Sequence, residues 1–159
     1  MRIVFTDPSG SFDHLDETLE SALRSLIRKA RHTIDIHGYS LAAFYDSEIF
    51  DRDIVPRLES GARLRVYGHV ESEARKVAGV FSRIRSPPEC YFWSGGGLYH
   101  IKAIVVDSRY VYIGSANISR AAMRENAEWG AIYESNEVAS EIERYTEHLV
   151  ETGLLVRLA

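Results

Sequence analysis

The chain has 159 residues, is 45% hydrophobic and 26% charged, and carries a formal net charge of −4. That is an ordinary soluble globular composition with room for one domain and a real core, and the acidic balance argues against a general polyanion sponge. The one cysteine, Cys90, excludes an internal disulfide and any multi-cysteine zinc site. No apolar run approaches the roughly 18 residues needed to span a bilayer, and Met1 to Asp7 reaches an acid too early for a secretion signal. A cytoplasmic protein without a membrane segment is the expectation.

Arg2 to Thr6 reads as a first strand, broken by Asp7-Pro8-Ser9-Gly10. Asp13 or Asp16, with help from His14, is placed to cap a following helix, whose apolar positions Leu15, Leu19, Ala22, Leu23, Leu26, Ile27 and Ala30 fall at helical spacing. Thr33 to Leu41 is a second strand, in which Ile34 and Ile36 alternate with Asp35 and His37 before Gly38-Tyr39-Ser40. A second helix fits Ser47 to Leu58, bent or shortened by Pro56, with Gly61 as its C-cap. Arg63 to His69 is a third strand, and Ser72 to Arg83 a third helix ended by Pro87-Pro88. Residues 61–85 hold six cations, Arg83 and Arg85 among them, against Glu71 and Glu73, either a solvated helix face or a basic patch. Glu89 to Trp93 is a short aromatic strand, followed by the loop Ser94-Gly95-Gly96-Gly97.

Ala103 to Val106 and Tyr110 to Ile113 are two apolar runs around Asp107-Ser108-Arg109, the pattern of a hairpin of buried strands. Ser119 to Asn126 is a polar loop or short helix, Ala127 to Tyr133 a strand, and Asn136 to Val150 a last helix with Val138, Ile142, Tyr145 and Leu149 on one face. Its acidic residues form a solvated face. Leu154 to Leu158 adds an edge strand. Helices and strands alternate first and hairpin-linked strands dominate later. The implied class is α/β, a mixed, mostly β-sheet flanked by helices on both faces, with residues 1–159 as one domain.

Antiparallel pairing of the central hairpin brings its outer ends together. Residues two apart on a strand share a face, so His100 projects with Lys102, and Ser115 with Asn117. A cation, two neutral donors and an imidazole suit an anionic tetrahedral group. No Asp and Glu cluster has metal-ligand spacing, so metal-assisted phosphatase chemistry is weak. Asp107 has the wrong parity and reads as a turn residue or a partner for nearby backbone. Glu128, at the start of a buried strand, is suited to fix the tautomer of an imidazole, the alternative being a solvent-exposed strand-end acid. His32, His69 and His148 read as surface or strand histidines. His37 stands beside Gly38-Tyr39-Ser40, which could line the same cleft.

His100-x-Lys102, four residues, Asp107, six residues, Gly114-Ser115-x-Asn117 resembles the HKD signature of the phospholipase D superfamily, with every fixed residue and both spacings. Val4 to Pro8, Asp35 to Ser40 and Asn126-Ala127-Glu128 resemble further segments of that family. The resemblance implies a phospholipase D-like α-β-α sandwich that needs no cofactor or metal. The family places two such motifs around one site and this chain has one. It is most similar to the short homodimeric phospholipase-D-type endonucleases, in which two chains share a site. On that basis one His100 attacks phosphorus, the other protonates the leaving oxygen, and Lys102, Ser115 and Asn117 hold the phosphate. Glu128 orients His100, and Asp107 and Gly114 are structural. Many nuclease members carry a second histidine where Tyr99 stands, the periplasmic members have a signal peptide, and zinc-containing relatives have an insertion that Cys90 alone cannot supply.

The partner implied first is nucleic acid, DNA before RNA. Arg120 and Arg124 follow the motif, Arg75 and Lys76 could track a phosphate backbone, and Tyr91, Phe92, Trp93 and Tyr99 stack bases or belong to the core and dimer interface. The competing readings are a hydrolase of phospholipid or other small phosphodiesters, and a nucleic-acid-binding module or domain of a larger restriction or helicase system.

Overall fold

The computed structural model describes residues 1–12, 17–42, 48–84 and 86–159. In chain order they form β1 (Arg2–Thr6), α1 (Leu19–Arg28), β2 (Thr33–Gly38), α2 (Val55–Glu59), β3 (Arg63–Gly68), α3 (Glu71–Val80), β4 (Glu89–Trp93), β5 (Ala103–Val106), β6 (Tyr110–Gly114), α4 (Arg120–Arg124), β7 (Glu128–Glu134), α5 (Asn136–Glu151) and β8 (Leu155–Arg157). The strands make one eight-stranded sheet in the order β1-β7-β6-β5-β2-β3-β4-β8. β2, β3 and β4 are parallel, and every other pairing is antiparallel. This is the mixed sheet with helices on both faces that the sequence implies.

The main core lies on one face. Leu19, Ala22, Leu23, Leu26 and Ile27, the buried stripe of α1, pack with Ile34, Ile36, Leu64, Val66, Ile104 and Val106. α5 covers part of the other face. Val138, Ala139 and Ile142 meet Val105 and Val111, and Leu149 meets Tyr67, Tyr91 and Tyr99. The buried stripe of α5 runs through Ala139, Thr146 and Leu149, which turns Tyr145 out to solvent, against the expectation that it faces inward. Because β2 is central and covered on both sides, Asp35 and His37 are buried with its isoleucines. Asp35 takes both bonds of the Arg65 fork, at 2.6 and 2.5 Å, which satisfies a carboxylate that burial would otherwise disfavour. Burial raises the Asp35 pKa, and Arg65 opposes the rise.

Two local expectations are corrected. α1 is capped by Thr18, whose hydroxyl accepts from Ser21 N–H at 3.2 Å, so its first turn begins after both acidic candidates. Asp13, His14, Leu15 and Asp16 lie outside the described residues, as do Ser47 and Arg85. The second helix is not regular. A π turn at Phe50–Ile54 runs into α2, with Pro56 in the first turn of α2. Proline has no N–H and its ring excludes the carbonyl one turn back, so the widened turn falls just before it. The π turn carries Asp53 inward, where its carboxylate receives Arg24 at 2.8 Å and Arg28 at 2.5 Å. Among the described residues no helix is long and apolar enough to cross a membrane.

Candidate active site

The hairpin of β5 and β6 pairs Ala103 with Ile113, and Gly114 N–H donates to Lys102 C=O at 3.2 Å. The chain entering β5 therefore lies beside the chain leaving β6. β2 is antiparallel to β5, with His37 opposite Ala103, so its C-terminal end delivers Tyr39 and Ser40 to the same place. The start of β7 delivers Glu128 there, since Gly130 pairs with Gly114. Gly114 is required by this crossing: a Cβ on it would stand 2.6 Å from Trp129 C=O and would also collide with the Tyr112 ring.

His100 is exposed and its Nε2 lies 3.3 Å from Lys102 Nζ. An ammonium can only donate, so Nε2 is the acceptor in this contact. The Nε2 lone pair that meets Lys102 is the one a nucleophile needs. Partial burial lowers the Lys102 pKa below the ordinary lysine value, and the Glu128 carboxylate opposes that. The Tyr39 ring lies 4.9 Å from the His100 ring, 5.5 Å from Lys102 Nζ and 5.3 Å from the His69 ring, on which it stacks. His69 Nδ1 in turn accepts from Tyr99 N–H at 3.3 Å. His69 thus backs the site through Tyr39 rather than standing as an isolated surface residue. No spacing signal ties it to the motif, because it arrives on β3.

Asn117 Oδ1 accepts from Ser40 N–H at 3.3 Å, which fixes the amide and leaves Nδ2 to donate outward. Ser40 and Leu41 are themselves held by Glu73 on α3. Leu41 N–H reaches Glu73 at 2.7 Å, and the Ser40 hydroxyl approaches the same carboxylate at 3.4 and 3.5 Å. Glu73 is a contributor that the sequence reading counted only as a charge.

Ser115 Oγ donates to Glu128 and accepts from Trp129 N–H at 3.2 Å, while Asn126 Nδ2 donates to the other Glu128 oxygen at 3.3 Å. The Glu128 carboxylate is thereby committed to Ser115 and Asn126 and not to His100, correcting the expected pairing. The β7 strand carries it toward the chain leaving β6, while His100 turns to Lys102 and Tyr39. Asp107 stands at the far end of the hairpin with φ of 52° and gives its oxygens to Arg31, His32 and Thr33 N–H, each at 2.8 Å. These bonds hold its carboxyl below the ordinary carboxylate range against a partial burial that acts the other way.

Other expected contributors are placed away from the site's chemistry. His37 is buried, stacked on Tyr67 at 4.6 Å and bonded through Nδ1 to Tyr99 Oη at 2.6 Å. It does not line the cleft. Tyr91 and Tyr99 are buried and Phe92 and Trp93 partly so, which favours core packing over base stacking. Arg75 pairs with Glu71 at 2.6 Å, Arg120 lies 3.6 Å from Glu125, and Arg124 ties α4 to α1 through Glu20 at 3.1 Å. Lys76 is exposed, with no carboxylate within 4.0 Å among the described residues. Among those residues no three His, Cys, Asp or Glu side chains converge into a metal-holding group.

Comparison with known proteins bears on the family and the fold. The family model described as "Cardiolipin synthase, PLD-like domain" matches residues 23–150. No curated protein matches the chain significantly in sequence. The fold is similar to that of Nuc from Salmonella typhimurium, a phospholipase D family member, with TM-score 0.71, 18% identity, and coverage of 99% of this chain and 96% of that one. It is also similar to NucT from Helicobacter pylori, with TM-score 0.67, 19% identity, and coverage of 86% and 89%. Phosphatidylserine synthase from Haemophilus influenzae Rd KW20 aligns with TM-score 0.75 at 19% identity, over 98% of this chain but 39% of that one. The chain belongs to the phospholipase D-like family, and its function is of the phosphodiesterase type.

Proposed function

We propose that the chain, as one phospholipase D-like domain of the cytoplasm, is a metal-independent endonuclease that cleaves nucleic-acid phosphodiesters, DNA before RNA, at a site completed by a second copy. The observation that carries this reading is the contact between an exposed His100 Nε2 and Lys102 Nζ, in a chain with one such pair. His100 Nε2 attacks phosphorus and forms a P–N bond as the P–O bond to the leaving group breaks. His100 of the second copy gives that oxygen its proton. It then takes a proton from water, which attacks phosphorus and releases the first His100. Lys102 and Asn117 Nδ2 bind the non-bridging oxygens, where charge accumulates. Ser115 serves this cradle through Glu128, and Glu128 acts as a positioning carboxylate beside Lys102. Lys76, Arg75 and Arg120 offer backbone contacts. Arg124, already tied to Glu20, offers less.

Leu98, Ile113 and Trp129, at 63%, 41% and 59% exposure, are apolar groups close in sequence to the site residues, and they support a second copy packing there. The same residues favour one other reading, a hydrolase of phospholipid, for which they would meet a lipid surface. The test is cleavage of single- and double-stranded DNA in EDTA by the wild type and His100→Ala, with the mass in solution measured alongside. Cleavage that needs a divalent ion sinks the metal-independent mechanism, and cleavage surviving in His100→Ala sinks the site. A monomer at assay concentration sinks the shared site. Turnover of phosphatidylglycerol vesicles in the absence of DNA cleavage selects the lipid reading.

A further inference from the structure

At the opposite end of the sheet from His100, the C-terminal end of α1, helix α2 and the β5–β6 turn enclose a pocket of about 590 Å³. It lies roughly 15–20 Å from Lys102, the length of a strand of this size. Five of its nine lining residues are Arg or Lys, and its one carboxylate is spent, because Asp107 gives both oxygens to backbone N–H groups. Arg28 is paired with Asp53, and Arg109 with Glu134 at 2.5 Å. Lys29, Arg31 and Arg57 remain, and among the described residues none of their side-chain cations has a carboxylate within 4.0 Å.

Two further observations concern the cations of this wall. Lys29 Nζ lies 4.2 Å and the Arg109 guanidinium 5.3 Å from the centre of the same Tyr110 ring, so one ring gathers two cations at one wall. Arg57 Nε is buried without a hydrogen-bond partner, while its Nη1 makes one long bond, 3.4 Å, to Arg28 C=O. Like charges gathered in a concave surface repel one another, and an unmet guanidinium donor is unfavourable. A bound anion with several acceptor oxygens removes the repulsion among these cations. The carbonyl end of α1 opposes an anion, but with about half a charge against three full ones.

We propose that this pocket is a second, non-catalytic phosphate-binding site, taking the phosphates of a polyphosphate chain or of a nucleic-acid backbone through Lys29, Arg31 and Arg57. The guanidinium forks of Arg31 and Arg57 match tetrahedral phosphate oxygens, Lys29 adds a point charge, and three cations together favour adjacent phosphates over a single one.

The test uses the full chain carrying Lys102→Ala, which removes the catalytic cation, and adds Lys29→Ala, Arg31→Ala and Arg57→Ala together. Sodium tripolyphosphate binding is measured by calorimetry, and binding of a single-stranded 30-mer by anisotropy between 50 and 200 mM salt. At least a tenfold loss of tripolyphosphate affinity, restored by the Lys29, Arg31→Lys, Arg57→Lys form, supports the site. A salt slope shallower by about 2 assigns it to the nucleic-acid backbone, since each single-strand phosphate contributes about 0.7. An unchanged slope with the tripolyphosphate loss assigns it to free polyphosphate. Equal tripolyphosphate affinity with and without the three cations, or no binding by either protein, overturns it. Failure of DNA cleavage by the wild type overturns the nuclease reading and leaves the tripolyphosphate result standing.

Discussion

The two ends of the β5–β6 hairpin carry parts of one sequence motif and use them in opposite ways. At the tip, Asp107 is wholly consumed by three backbone N–H groups and ties the turn to the chain entering β2. At the open end, His100 is exposed and meets Lys102 and Tyr39, while Asn117 keeps a donor free. One end saturates its polar groups and gains stability. The other leaves them available to a ligand. Residues of one motif, about one strand length apart, thus differ in whether their polar groups are consumed by the fold.

The sharpest way to break that contrast is His100→Ala. Phosphodiester hydrolysis should fall by about 10⁴-fold or more, as when a nucleophile is lost, with stability unchanged to within about 0.5 kcal/mol because the residue is exposed. Steady-state rates and urea unfolding on one preparation check both halves. Asp107→Ala should do the reverse. Three charge-assisted bonds are lost and alanine must hold a left-handed backbone, for a destabilisation of about 2–4 kcal/mol. The folded fraction should keep its kcat, and a kcat loss with an unchanged melting temperature would put Asp107 in the chemistry.

A second histidine sharpens the contrast through pH. Burial, reinforced by Arg65, lowers the His37 pKa from 6.5 to about 3. The unfolded chain takes up a proton as pH falls through 6.5, whereas the folded chain does not until about 3. Stability from this group is therefore complete above that window and is lost as pH falls into it, by about 2 kcal/mol between pH 6.5 and 5. Asp35, with its raised pKa, acts in the opposite sense at lower pH. Urea unfolding of the wild type and His37→Asn at pH 7 and 5 should show the acid loss in the wild type alone. The smallest effect is expected from Glu73→Gln, which keeps the acceptor for Leu41 N–H and removes its charge. The fall in kcat should be about threefold, carried by a looser Asn117, with little change in melting temperature. A full loss of activity would mean that Glu73 touches the reacting groups.

Much of this was legible in the chain. Strand and helix periods placed nearly every element, since apolar spacing reports which face each one buries. The parity of Asp107, opposite to that of His100 and Lys102, already set it apart as a turn residue bonded to nearby backbone. What escaped depends on neighbours distant in sequence. His69 and Glu73 reach the site because β3 lies beside β2 and α3 follows it. Glu128 turned to Ser115 because the β6–β7 register sets those residues side by side. Tyr91, Tyr99 and His37 went into the core because α5 and the neighbouring strands cover them. The cationic pocket joins residues from α1, α2 and the hairpin that no local window connects. The order of residues along one strand determined the identity and spacing of the reactive groups, because a strand alternates its faces whatever surrounds it. Which carboxylate meets which donor, and which aromatic meets water, was decided only by the pairing of the strands and the docking of the helices.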